Sequence, residues 1–168
     1  MSQPSEVAAL ERFIAERGAG LERAAWFLTG DHQLAEDLLQ TALAKAWKQH
    51  RVLGSDHKFE AYLRTTMYRT FVSWARRLSW RSESVCAEVD DLAGDSAAVE
   101  ARLDLMRGLA ELSRMQRAVL VLRYLEDRPI AEVAALLGIS AGSVKTHAHR
   151  GCTALRASVH LVQEGVPS

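Results

Sequence analysis

The stretch from Arg128 to His147, Arg-Pro-Ile-Ala-Glu-Val-Ala-Ala-Leu-Leu-Gly-Ile-Ser-Ala-Gly-Ser-Val-Lys-Thr-His, constrains the fold more than any other part of the chain. Pro129 suits a first helical position, where a missing N–H costs nothing. Ile130, Val133, Ala134 and Leu137 recur at helical spacing and give one apolar stripe. Gly138 can take the left-handed conformation that ends a helix, which lets Ile139 turn into the corner. Ser140 can cap a second helix by accepting a bond from an N–H one turn on. Ala134 is small where two helices must cross closely, and Val144 can anchor the second helix on the first. An ordinary helical hairpin with a solvated basic face would not require Ala134, Gly138, Ser140 and Val144 at these offsets. The spacing therefore predicts a helix-turn-helix. Its second helix presents Ser143, Lys145, Thr146, His147, His149 and Arg150, which can reach phosphates and base edges in a major groove.

A chain of 168 residues fits one or two small domains, and 48% hydrophobic residues suffice for packed cores. Three Pro and ten Gly suit a helical protein. There is no run of 18 apolar residues, and Met1-Ser2-Gln3-Pro4-Ser5-Glu6 lacks a basic-then-apolar leader, so a soluble, cytoplasmic protein without membrane insertion is expected. Cys86 and Cys152 lie far apart without a Cys-x-x-Cys, which indicates neither a disulfide framework nor a zinc site. Net charge is zero, unusual for a DNA binder until it is divided along the chain. Residues 1–80 carry 11 Lys/Arg against 9 Asp/Glu; residues 81–97 carry one Arg against five acids; residues 98–168 carry 9 against 7. Two mildly basic halves are joined by an acidic strip. Binding by this chain alone should be weak and salt-sensitive, since affinity scales with the phosphates neutralised. A DNA binder of this kind works as part of something larger.

Helical period dominates throughout, and no alternating strand stands out. The expected class is all-α: two small helical domains joined by an acidic flexible linker, the C-terminal one a helix-turn-helix. Ser5 to Arg17 reads as a helix interrupted by Gly18-Ala19-Gly20, and Leu21 to Thr29 as a second helix stopped at Gly30. Asp31 caps a third, to about Gln49, with Glu36 and Asp37 in early turns where the dipole favours acids. Residues 51–58 read as a loop and Phe59 to Trp80 as a long helix. The linker occupies 81–97, polar and without period. Beyond it, Leu103, Met106 and Leu109 share a stripe, and Ser113-Arg114-Met115-Gln116 is a capping box. The end of the chain, 163–168, is expected to fray.

No catalytic constellation is present: no phosphate loop, no G-x-S-x-G, no H-E-x-x-H. His147 and His149 sit two apart on a helix and point to different sides, so no metal pair is expected, and no cofactor. On the helix opened by Asp31, Ala35, Leu38, Leu39, Ala42 and Ala46 form a core stripe. Asp37, Gln40, Ala44 and Trp47 fall off it, on a face suited to docking because aromatic anchors dominate interface energetics. Trp47 by itself fits closing the domain core equally well. In the Phe59–Trp80 helix, Leu63, Met67, Thr70, Phe71 and Trp74 form a buried stripe. Tyr62, Arg69, Ser73 and Arg76 occupy another face, with Arg64, Arg77 and Trp80 near its edges. Bases interleaved with aromatics suit a strand whose bases are unstacked and held, which hints at melted DNA, although a solvated basic face would share this composition.

Together these segments resemble an extracytoplasmic-function sigma factor, the smallest class of the bacterial sigma-70 family, in its short actinomycete form. Leu28-Thr29-Gly30-Asp31 with Ala35-Glu36-Asp37-Leu38-Leu39-Gln40-Thr41-Ala42-Leu43 resembles the family's polymerase-docking segment. Ala61-Tyr62-Leu63-Arg64 through Ser73-Trp74-Ala75-Arg76-Arg77 resembles the segment that melts and reads the minus-ten promoter element. Leu109-Ala110-Glu111-Leu112, Gln116-Arg117-Ala118-Val119 and Leu122-Arg123-Tyr124 resemble the start of the domain that reads the minus-thirty-five element, and Val144 to Arg150 its recognition helix. The resemblance implies a non-enzymatic protein whose partners are core RNA polymerase and promoter DNA, with an anti-sigma factor as a further candidate. It implies that Asp37 and Gln40, with Ala44 and Trp47, face polymerase. It assigns Tyr62, Arg64, Arg69, Ser73, Trp74, Arg76 and Arg77 to the minus-ten element. It also implies that the acidic linker threads the enzyme's active-site and RNA-exit channel. Arg69 stands where the family usually has Asn, Pro129 replaces a usual Ser or Thr, and His147 and His149 stand where Arg is common.

Two other readings use the same helix-turn-helix. A stand-alone transcriptional regulator with a sensor or interaction domain in its N-terminal half is one, although a response-regulator sensor needs an α/β sheet that no strand pattern supplies. A helical adaptor or inhibitor that never meets DNA is the other, and it leaves the bases of the recognition helix without a purpose.

Overall fold

A computed structural model describes residues 3–77 and 96–158, and every element among them is helical. Helix α1 spans Gln3–Thr29, α2 His32–Ala46, α3 His50–Leu53 and α4 Asp56–Arg77. After the gap come α5 (Ser96–Ala110), α6 (Arg114–Leu120), α7 (Ile130–Leu137) and α8 (Ala141–Ala157). The expectations for 81–95 and for the last ten residues fall outside the described residues.

The end of α1 and the start of α2 follow from local chemistry. Gly30, at φ 71°, provides the left-handed turn. Thr29 Oγ1 donates to the Ala25 carbonyl at 2.9 Å, and Asp31 accepts the Leu34 N–H at 2.9 Å as the cap of α2. The core of this half lies between α1, α2 and α4, where Phe13, Leu21, Leu28, Leu38, Phe59, Leu63, Met67 and Tyr68 are sealed from solvent. Phe13 and Phe59 meet edge to face at 4.9 Å between ring centres.

Three expected boundaries are corrected. Gly18-Ala19-Gly20 does not break α1, because the helix buries Phe13 and Leu21 on either side of it. The roughly 1 kcal/mol that each helical glycine costs is outweighed by that apolar burial. Gly18 is itself buried, and a Cβ there would lie 3.3 Å from Ile14. The stretch 51–58 is not a loop throughout: Trp47–Gln49 tightens into one 3-10 turn and α3 follows, ended by Gly54 at φ 75°. His50 holds this corner, stacking on Trp47 at 4.4 Å and pairing its Nε2 with Asp56 at 2.9 Å. The third correction concerns Ser96 and Ala97, which open α5 rather than close the linker.

In the C-terminal half, Ser113 and Gln116 form the expected reciprocal cap of α6. Its last residues widen into a π turn over Val121–Leu125, with Glu126 N–H donating to the Val121 carbonyl at 3.0 Å. Asp127, at φ 50°, and the Arg123 guanidinium on the Arg128 carbonyl (2.8 Å) lead the chain to Pro129, the residue before α7 rather than its first position. Gly138 takes the left-handed conformation at φ 68°, and Ser140 caps α8 through the Ser143 N–H at 3.0 Å. Val133 and Val144 are sealed at the crossing of the two helices, as the spacing predicts. The halves also touch: α4 lies against α6 and α7, and α1 against α6.

Gly151 sets how closely α8 approaches α6. A Cβ there would come within 2.9 Å of Leu120 Cδ1 and 3.1 Å of its Cγ, and Leu120 is buried. Gly151→Val is expected to destabilise the C-terminal half by about 2 kcal/mol through overpacking. Gly151→Ala should cost less, because about 1 kcal/mol of helix propensity offsets the clash. Thermal melts of the two variants check the order.

Candidate nucleic-acid and protein interfaces

Three surfaces collect the residues singled out from the sequence. The first lies on α2. Asp37, Gln40 and Ala44 are all exposed there, while Leu38 and Ala42 point into the core. Asp37 accepts a hydrogen bond from Gln33 Nε2 at 3.1 Å, and Gln40 donates to Glu36 at 3.2 Å. Both are pairs one turn apart on the surface, so neither residue is tied to the core. Trp47 is half-buried, stacked on His50 and edge-on to Phe59 at 5.3 Å, the core-closing position that the spacing also allowed. Its remaining edge borders a shallow cleft with Ala44, Lys48 and Arg51.

Beside Gln40 the structure adds a groove of about 510 Å³ between α1 and α2, lined by Ile14, Trp26, Leu39 and Leu43 among others. Trp26 stacks on His32 at 6.1 Å, and its buried indole N–H has no hydrogen-bond partner. Sequence reasoning missed this groove. Leu39 and Leu43 fit the core stripe by spacing, and only the angle between α1 and α2 leaves them half-open.

The second surface is on α4. Leu63, Met67, Thr70 and Phe71 are buried as expected, and Trp74 is half-buried. Tyr62, Arg69 and Ser73 are exposed. Arg64 is only 15% exposed, held between Glu60 at 3.1 Å and Glu126. Burial pushes the Glu60 carboxyl up, but hydrogen bonds and charge from Arg17 and Arg64 outweigh it and hold the group below its usual range. The side chains of Arg76 and Arg77, in the last turn of α4, lie outside the described ones. Tyr68 went unnoticed in the sequence. It is sealed inside, and burial, then the charge of Glu126, raises its hydroxyl well above the ordinary tyrosine range.

The third surface is α8. Lys145, Thr146, His149 and Arg150 are exposed along it, with Ser143 and His147 half-buried. Thr146 Oγ1 donates to the Gly142 carbonyl at 3.0 Å, which fixes its rotamer. A cleft of about 300 Å³ beside Lys145 and His149 also gathers Arg123, Tyr124 and Arg156. The Arg123 guanidinium lies 5.8 Å from the centre of the Tyr124 ring. These three residues were not singled out from the sequence, because they come from elements that meet only when α8 folds back on the π turn. Among the described residues no group of His, Cys, Asp and Glu could hold a metal, and no helix is long and apolar enough to cross a membrane.

Comparison with known proteins adds independent findings. The family model for sigma-70 region 2 matches residues 11–81, and that for sigma-70 region 4 matches residues 102–155. An RNA polymerase sigma-E factor of Streptomyces coelicolor is 36% identical over 155 residues, covering 90% of this chain and 86% of the relative. The ECF RNA polymerase sigma factor SigL of Mycobacterium tuberculosis is 33% identical over 159 residues, covering 90% and 89%. Among solved structures, the sigma factor RpoE in complex with the anti-sigma factor NepR from Bartonella quintana matches with a TM-score of 0.63. That match has 25% sequence identity and covers 89% of this chain and 95% of that one.

Proposed function

Because the chain belongs to the sigma-70 family, as an extracytoplasmic-function sigma factor, we propose that its three surfaces divide the work of initiation. The exposed face of α2, with Asp37, Gln40, Ala44 and the free edge of Trp47, docks on core RNA polymerase. The neighbouring groove at Trp26, Leu39 and Leu43 supplies the apolar part of that contact, where burial contributes most to affinity. On α4, Tyr62, Arg64, Arg69, Ser73, Trp74, Arg76 and Arg77 face the minus-ten element as it melts, with Tyr62 offering a ring to an unstacked base. On α8, Ser143, Lys145, Thr146, His147, His149 and Arg150 enter the major groove of the minus-thirty-five element. Arg123, Tyr124 and Arg156 extend that surface to the phosphates.

The role is non-enzymatic, and it belongs to the cytoplasm, where polymerase acts. Residues 1–80 form the docking and minus-ten unit and residues 98–168 the minus-thirty-five unit. The observation that carries the assignment is the pairing of an exposed, basic recognition helix with a docking face that the core does not need. A purely regulatory helix-turn-helix protein has no use for that second face. An anti-sigma factor, as in the complex of the structural relative, is a further partner proposed for this chain. Purifying the tagged chain from its own cells and sequencing the DNA that accompanies it tests the reading. Core polymerase subunits with promoter fragments sharing two spaced elements are the expected yield. Promoter DNA without polymerase would favour the stand-alone regulator.

A further inference from the structure

The surface assigned to the minus-ten element is occupied by the protein's own C-terminal half, and the inference drawn from this rests on that assignment of α4. Arg69 donates its Nε to the Leu136 carbonyl at 2.8 Å and its Nη2 to the Ala135 carbonyl at 3.3 Å. Those carbonyls end α7, where a helix leaves acceptors unfilled and carries partial negative charge. Arg64 reaches across the same seam to Glu126, with both side chains about 15% exposed or less. In the opposite direction, Arg117 of α6 donates its Nε to the Phe27 carbonyl at 2.7 Å, near the end of α1. The Arg114 guanidinium lies 5.9 Å from the centre of the Phe71 ring on α4. Each half thus places an arginine on the carbonyl end of a helix in the other, with a largely buried ion pair beside them.

We propose that this is a resting, closed form in which the helix-turn-helix half covers the minus-ten face and withholds it from DNA until the two halves part. The geometry of a promoter supports this. Elements named for positions ten and thirty-five lie about 25 base pairs apart, which at about 3.4 Å per pair is about 85 Å of duplex. In the structure, Arg69 of the minus-ten face is within hydrogen-bond distance of the helix-turn-helix itself. One chain cannot stay closed and read both elements. Nor can Arg64 and Arg69 serve DNA while they serve Glu126 and α7.

The seam is also built to open. Arg117 is buried, and its Nη2 has no hydrogen-bond partner. Burial, then the charge of Arg114, pulls its pKa down to about 9. The Tyr68 hydroxyl and Glu126 Oε2, also buried, lack hydrogen-bond partners as well. Desolvated polar groups left incomplete weaken an interface while keeping it specific. A partner that binds only the separated halves therefore shifts the equilibrium without breaking a strong core. Core polymerase, docked through α2, is such a partner.

Energy transfer on the full chain tests the closure, with dyes at Lys58→Cys and Thr153→Cys in a background of Cys86→Ser and Cys152→Ser. The parent should give one short, narrow distance. Glu126→Arg, which sets like charges against each other at Arg64, should lengthen and broaden it. The exchanged pair Arg64→Glu with Glu126→Arg should bring the short distance back. A parent as long and broad as the Glu126→Arg variant would overturn the closed form. Masking is read separately, from affinity for a single-stranded minus-ten oligonucleotide without polymerase. Glu126→Ala, which adds no charge, should bind it about fivefold tighter or more, since masking lowers apparent affinity by the open fraction. Equal affinity of parent and Glu126→Ala, with the distances as expected, would overturn the masking while leaving closure. No binding by either chain, again with the expected distances, would overturn the masking through its premise, the assignment of α4.

Discussion

Replacing Asp37 and Gln40 together by alanine should leave a folded chain that no longer retains core RNA polymerase. Both residues are exposed, and their hydrogen bonds run only to Gln33 and Glu36 one turn away. Surface pairs of this kind contribute a few tenths of a kcal/mol, so the melting temperature should barely move. In a desolvated interface the same groups matter far more. Losing a charged or amide partner there costs about 2–5 kcal/mol, which is about 30-fold or more in affinity. Circular dichroism with a pull-down of core enzyme separates the two effects. Normal retention by the folded double variant would remove α2 from the docking surface. A second variant, Leu39→Ala, then asks whether the adjoining groove takes part, since its side chain is half-open and lines it.

The recognition helix carries the other large effect. Lys145→Ala and Arg150→Ala should each weaken binding to the upstream element while polymerase is still retained. Both side chains are exposed on α8, and neither is part of the crossing with α7, where Val144 is the sealed residue. A contact to a base edge should cost about 1–3 kcal/mol at one position of the element. A contact to phosphate should cost all promoters alike and reduce the salt dependence of binding by one charge. Binding titrations at several salt concentrations, with matched and altered upstream sequences, assign each residue to one class. Parent-like binding by both variants would mean that another face reads the DNA.

The helix-turn-helix was legible because its signals are local. Pro129, Gly138 and Ser140 fix where helices begin and end within a few residues, and Val133 and Val144 fall on faces set by period alone. The capping box at Ser113 and the cap at Asp31 were readable for the same reason. Gly18 misled because glycine's local preference competes with burial. In α1 the neighbours Phe13 and Leu21 decide the outcome, and they do so through contacts with distant helices. The corner at His50 escaped notice because stacking on Trp47 and pairing with Asp56 join residues outside any one periodic stripe. The docking groove, the basic cleft at Arg123 and Arg156, and the reach of Arg69 to α7 all depend on how helices cross. Period shows which face of a helix is apolar. It does not show which neighbour that face will meet, or how much of it the neighbour will cover.

Docking and promoter reading meet in one reaction, run-off transcription. Core polymerase from the same cells, supplied with a linear template bearing a promoter recovered with the tagged chain, is mixed with the purified protein. Core enzyme alone should give no discrete transcript. Adding the protein should give a single run-off product that starts a fixed distance downstream of the minus-ten element. That product should disappear when the element is scrambled or when Asp37 and Gln40 are replaced. A template left silent by the folded parent protein, with polymerase that responds to another sigma factor, would contradict the account at its centre.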